Sequence, residues 1–102
     1  MKYKVEYAWP VEDFLRRLPP EPKHALRRNI KALATLQGDI KPLEGRLAGY
    51  WRLRVMTYRV IFATGVERGE GRVQCLYAGP RATVYEAFTA ILAKKIAGQM
   101  TE

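Results

Sequence analysis

Polar and apolar positions alternate from Lys2 to Tyr7, with Tyr3, Val5 and Tyr7 on one side and Lys2, Lys4 and Glu6 on the other. That period of two predicts a half-buried strand. Beyond Trp9 the spacing changes. Val11, Phe14, Leu15 and Leu18 fall at i, i+3, i+4 and i+7, which predicts a short amphipathic helix with Pro10 in its first turn. Pro19 and Pro20 end it, and Pro22 opens a second helix whose Leu26, Ile30 and Leu33 face the core until Gly38. Gly38 to Gly49 reads as a connecting loop. From Tyr50 to Thr64 strand-type residues dominate, with Met56-Thr57 as the hairpin turn. The glycine-rich, charged segment Gly65 to Gly71 separates this hairpin from a last strand, Arg72 to Ala78. Val84, Phe88, Ile91, Leu92 and Ile96 then form a closing helical stripe. The order β-α-α-β-β-β-α predicts an α+β fold: a mainly antiparallel four-stranded sheet packed against an N-terminal helical hairpin, with a C-terminal helix.

A chain of 102 residues without internal repeat or linker fits one domain spanning 1–102. Eighteen Lys plus Arg against ten Asp plus Glu leave a charge of +8, which points to an anionic partner. The start has no apolar leader, and no stretch approaches the roughly 20 apolar residues of a membrane span, so a soluble cytoplasmic chain without a membrane segment is expected. The single cysteine, Cys75, and single histidine, His24, leave no internal disulfide and no zinc set, so neither metal nor cofactor is expected. Gly65 to Gly71 lacks a following Lys-Ser or Lys-Thr and reads as a hairpin loop, not a nucleotide cradle.

Charge becomes informative between Glu44 and Glu67, an interval with no acid that holds Arg46, Arg52, Arg54 and Arg59. Period two sends Tyr50, Arg52 and Arg54 to one face and Trp51, Leu53 and Val55 to the other. Arg59 follows the turn onto the paired strand near Arg54, and Arg81 leaves the last strand just before the final helix. These four arginines can converge on one concavity. A solvated face normally interleaves acids, whereas guanidinium forks match phosphate oxygens bidentately. A second basic stripe, Lys23, Arg27 and Lys31 with Arg28 beside it, lies on the outer face of helix two. It is either a solvated face or a dock for RNA or an acidic protein. His24 has no visible acid or nucleophile partner and reads as a surface residue. Cys75, on an apolar strand, reads as a buried small hydrophobe.

The run Leu43-Glu44-Gly45-Arg46-Leu47-Ala48-Gly49-Tyr50-Trp51-Arg52-Leu53-Arg54-Val55, followed by Tyr58-Arg59-Val60-Ile61-Phe62, Ala78-Gly79-Pro80-Arg81 and Val84-Tyr85, resembles the RelE/ParE toxin superfamily. The element order matches that family along nearly the whole chain. The resemblance implies the toxin of a type II toxin-antitoxin pair, held by a cognate acidic antitoxin. RelE-like members cut mRNA on the ribosome without metal, using the RNA's own 2′-hydroxyl as nucleophile. ParE-like members inhibit DNA gyrase instead, and a degenerate member would only bind its antitoxin or RNA; the arginine set favours RNA cleavage over gyrase inhibition. Carried over by motif, the catalytic positions are Arg52, Arg54, Arg59, Arg81 and Tyr85, and Arg46, Tyr50, Lys23, Arg27 and Lys31 are candidate RNA contacts. Two turns depart from the family: Met56-Thr57 replaces the usual Gly-Asp or Gly-Asn, and Gly79-Pro80-Arg81 replaces Gly-His-Arg or Gly-Lys-Arg. Positions where RNA-cutting relatives often carry Lys, Glu or His are Arg here, and Arg does not deprotonate in proteins. Tyr85 is then either the candidate acceptor of the 2′-hydroxyl proton or a packing tyrosine at a helix start, with the base supplied by the ribosome or the RNA.

Overall fold

A computed structural model describes residues 2–100, with side chains through residue 95. Along the chain run β1 (Lys4–Tyr7), α1 (Trp9–Arg16), α2 (Pro20–Lys31), β2 (Asp39–Pro42), β3 (Trp51–Val55), β4 (Tyr58–Glu67), β5 (Glu70–Pro80) and α3 (Val84–Met100). Short 3-10 turns occupy Ala32–Thr35 and Gly45–Leu47. The sheet has five strands in the order β1-β5-β4-β3-β2, with β1 parallel to β5 and every other pair antiparallel. The α+β class and the helices follow the sequence pattern, but the strand count is five rather than four. The additional strand, β2, lies inside the segment expected to be a loop.

Each helix buries the stripe its spacing dictates. Val11 and Leu15 of α1 and Leu26 and Ile30 of α2 are fully buried against Leu53, Val60, Phe62, Val73 and Cys75 of the sheet. Pro10 sits in the first turn of α1, where a missing N–H costs nothing. The second helix starts at Pro20, two residues before its expected opening at Pro22, and continues as 3-10 turn to Thr35. On the opposite face of the sheet α3 lays Val84 and Phe88 over Ile61 and Leu47. The ring of Tyr50 meets Phe88 edge-on at 5.1 Å. Of the closing stripe, the side chain of Ile96 lies outside the described residues. No helix among the described residues is long and apolar enough to cross a membrane.

The alternation of β5 is broken by a bulge. Ile61 pairs with Tyr77 but Phe62 pairs with Cys75, leaving Leu76 as an extra residue. Odd-numbered Val73 and Cys75 and even-numbered Ala78 thereby share the face that packs on the helices. The segment Gly65 to Gly71 is mostly strand rather than loop: β4 runs to Glu67, β5 starts at Glu70, and only Arg68 and Gly69 turn. Both have positive φ, 53° and 77°, as a two-residue primed turn requires.

The β3–β4 turn is Met56-Thr57, as the sequence predicts, and Met56 takes a φ of 56°. A side chain in that region costs about 1–2 kcal/mol, which glycine avoids. A Met56→Gly variant is therefore expected to unfold at higher denaturant, by about 1 kcal/mol after the entropy of the added glycine is deducted. An equal or lower midpoint in urea unfolding would show that the turn carries no such strain.

Candidate functional site

The arginine face starts from the pleat of β3. Leu53 and Val55 enter the core, and the intervening Arg52 and Arg54 emerge on the other side of the sheet. Register places Arg54 directly opposite Arg59 of β4, Arg59 opposite Gly79 of β5, and Arg52 opposite Ile61. Arg81 is held beside the same end of the sheet, its backbone N–H donating to the Thr57 carbonyl at 2.8 Å. Tyr85, one residue into α3, packs against the cluster containing Ile61 and so borders this face. The far end of the face is neutralised. Arg72 pairs there with Glu6 at 3.1 Å and Glu67 at 3.4 Å.

These arginines are not equivalent. Arg54 is the more open, its side chain 56% exposed, whereas that of Arg52 is 14% exposed. Arg59 is buried, and its Nη1 donates to the carbonyls of Met56 at 3.2 Å and Tyr58 at 2.9 Å. It thus ties down the strained turn from within the sheet while adding positive potential beneath Arg54. Arg81 is exposed.

Sequence reasoning missed Asp39. The interval around Arg52 and Arg54 holds no acid in sequence, yet β2 brings one alongside in space, correcting the picture of an arginine face without carboxylates. Asp39 pairs in register with Arg54. Its Oδ1 accepts from Arg52 Nη1 at 3.0 Å, and its Oδ2 lies 2.9 Å from Arg54 Nε. Arg52 Nη1 also donates to the Asp39 carbonyl at 2.9 Å. The hydrogen bond from Arg52 holds the Asp39 carboxyl below the usual carboxylate value, with the positive charges of Arg52, Arg54 and Arg59 adding to it. Gly38 delivers the chain into this position with a φ of 126°, and a Cβ there would lie 3.0 Å from Leu53 Cδ1. The readable signal was the alternation Asp39-Ile40-Lys41, three residues and so too short to stand out between Gly38 and Pro42.

The other candidates are dispersed. Arg46 is exposed in the 3-10 turn before β3, and Tyr50 is half-buried under Phe88. Lys23, Arg27 and Lys31 lie on α2, which packs on the other face of the sheet, while Arg28 beside them lines one groove with Arg54. Arg27 pairs with Glu12 at 3.6 Å. His24 is exposed, beside Arg28 in an open groove between α2 and the β3–β4 turn. Cys75 is fully buried, and burial pushes its thiol up to about 12.

No family model matches the chain, and no curated protein matches it. Solved structures do. A chain of the RelBE2 toxin-antitoxin complex of Mycobacterium tuberculosis is 28% identical with a TM-score of 0.66, the match covering 80% of this chain and 94% of that one. A chain of the archaeal RelE-RelB complex of Pyrococcus horikoshii is 27% identical with a TM-score of 0.56, over 79% and 97% of the two chains. The YoeB/ParE toxin of Agrobacterium tumefaciens, at 20% identity and a TM-score of 0.61 over 76% and 97%, shares the fold.

Two consequences of this electrostatic arrangement are measurable. Removing the buried Arg59 guanidinium in Arg59→Ala frees two carbonyls at the turn and is expected to cost about 2–4 kcal/mol of stability, read by urea unfolding. An effect below about 0.5 kcal/mol would contradict its role as a turn clamp. The pH dependence has two limbs. Asp39 is lowered by folding, so its contribution is present above its ordinary value of 3.8 and lost as pH falls further. Cys75 is raised, so its contribution is complete below 9.0 and lost as pH climbs from there toward about 12. Unfolding midpoints that stay flat across the alkaline limb would contradict the burial of that thiol.

Proposed function

We propose that this chain, which has the fold of the RelE/ParE toxin superfamily, is the toxin of a toxin-antitoxin pair and cuts mRNA on the ribosome without a metal ion. The observation that carries this reading is the row of guanidinium groups, Arg52 and Arg54 from β3 and Arg59 from β4, on one sheet face with Arg81 fastened to its end. Phosphate is the ligand such an array suits, because Arg presents planar donor pairs that never lose their charge.

In the proposed reaction the RNA 2′-oxygen bonds to the adjacent phosphorus as the bond to the 5′-oxygen breaks. The 2′-hydroxyl proton passes to a base, and the departing 5′-oxygen takes up a proton. The products are a 2′,3′-cyclic phosphate and a free 5′-hydroxyl. Charge builds on the non-bridging oxygens at the pentacoordinate stage, so donors fixed before the reaction stabilise that stage more than the substrate. Arg54 and Arg81, the exposed members, are assigned to those oxygens. Arg52 and Arg59 supply potential from beneath. Tyr85, at the border of the face, is assigned the proton transfer because the arginines cannot perform it. The partner is a cognate antitoxin, and the charge of +8 favours an acidic one.

Primer extension on a defined mRNA, with and without programmed ribosomes, tests the reading. The parent protein is expected to give ribosome-dependent cuts, and Arg81→Ala to lose about 10²–10³ in rate. Tyr85→Phe is expected to slow cleavage and alter its pH dependence. Absence of cuts by the parent, together with inhibition of gyrase supercoiling, would replace this reading with ParE-like action.

A further inference from the structure

The arginine face contains a carboxylate that a phosphate-binding surface should exclude, since it repels the ligand. Asp39 nevertheless occupies the row directly opposite Arg54, and each carboxylate oxygen takes a different arginine: Oδ1 with Arg52 Nη1 at 3.0 Å and Oδ2 with Arg54 Nε at 2.9 Å. Its own main-chain carbonyl takes Arg52 Nη1 as well, at 2.9 Å. Arg54 meets the carboxylate through its inner nitrogen, Nε, and its side chain stays 56% exposed, open to a ligand. Lys41 lies on the same edge strand, opposite Arg52, and Arg59 lies across from Arg54.

We propose that Asp39 is a positioning residue for the arginine face, bracing Arg52 and Arg54 from the β2 side so that the remaining guanidinium N–H groups form a fixed array for the phosphate. Unbraced arginines incur an ordering cost when they bind phosphate, which loss of the Asp39 repulsion offsets, and they stabilise the transition state less because its geometry is more demanding. Binding and rate thus separate on removing Asp39. The loss of a negative charge leaves RNA affinity equal or higher, while the cleavage rate falls.

The rate arm rests on the RNA-cutting reading above; a second arm does not. In single-turnover cleavage on programmed ribosomes, Asp39→Ala and the near-isosteric Asp39→Asn are expected to lose about tenfold to a hundredfold in rate. Binding of either variant to a defined RNA oligonucleotide should not weaken, and Asp39→Glu should recover part of the rate. Rate and affinity rising together would overturn the proposal and make Asp39 a competing counterion. In the second arm, nitrogen-detected NMR of the free protein should give separate Nη signals for Arg52 in the parent, reporting slow rotation of its guanidinium, and faster exchange between them in Asp39→Ala, which keeps the bond to the main-chain carbonyl but loses the carboxylate. Averaged signals in the parent would refute the brace whether or not the protein cuts RNA. A parent that cuts nothing but shows the slow Arg52 signals would remove the RNA-cutting reading and leave the brace standing.

Discussion

The register of β3 between β2 and β4 is the constraint from which the other features follow. Its period of two leaves one choice: Leu53 and Val55 toward the helices, Arg52 and Arg54 away from them. A slip of one residue would bury two guanidinium groups among Val11, Leu15, Leu26 and Ile30 and expose the leucine and valine. Burying an unpaired charge costs several kcal/mol, and exposing two apolar side chains adds about 2–3 kcal/mol each. The hydrophobic core therefore specifies the functional face, although no functional side chain belongs to it.

That coupling explains the unusual turn. With Met56 in place of glycine, the β3–β4 hairpin holds a strained residue, and the buried Arg59 guanidinium ties its carbonyl and that of Tyr58. The same cation sits across from Arg54 and raises the positive potential of the face. On the opposite flank β2 supplies Asp39, whose carboxylate is shared between Arg52 and Arg54. One flank fixes the backbone of the hairpin and the other fixes its side chains. The half-exposed Arg54 and the exposed Arg81 are left open to an incoming anion.

Much of this was legible in the sequence. The stripes of α1 and α2, the alternation of Trp51 to Val55 and the Met56-Thr57 turn are strong local patterns, and the fold class follows from their order. What escaped was non-local. β2 is four residues long between Gly38 and Pro42, too short for its alternation to register, and it exists because β3 offers an edge to pair with. Without it Asp39 had no visible connection to residues 13 and 15 positions away. β5 extends two residues past each end of the expected Arg72 to Ala78, through Glu70-Gly71 and Gly79-Pro80, whose Gly and Pro carry turn composition. Gly65 to Gly71 carried loop composition but lies in a long two-stranded ribbon. Arg27 and Lys31 of the helix-two stripe face outward, but no local pattern reveals that Arg28 beside them shares a groove with Arg54.

The proposed role of the arginine face requires that the side chains β3 turns away from the core contact phosphate. The most direct measurement is the salt dependence of binding to a defined single-stranded RNA, comparing the parent with Arg54→Ala. Each phosphate contact contributes about 0.7 to the slope of log affinity against log salt. The account predicts a slope shallower by about that amount in the variant, with weaker binding at low salt. Identical slopes and affinities for the two proteins would contradict it.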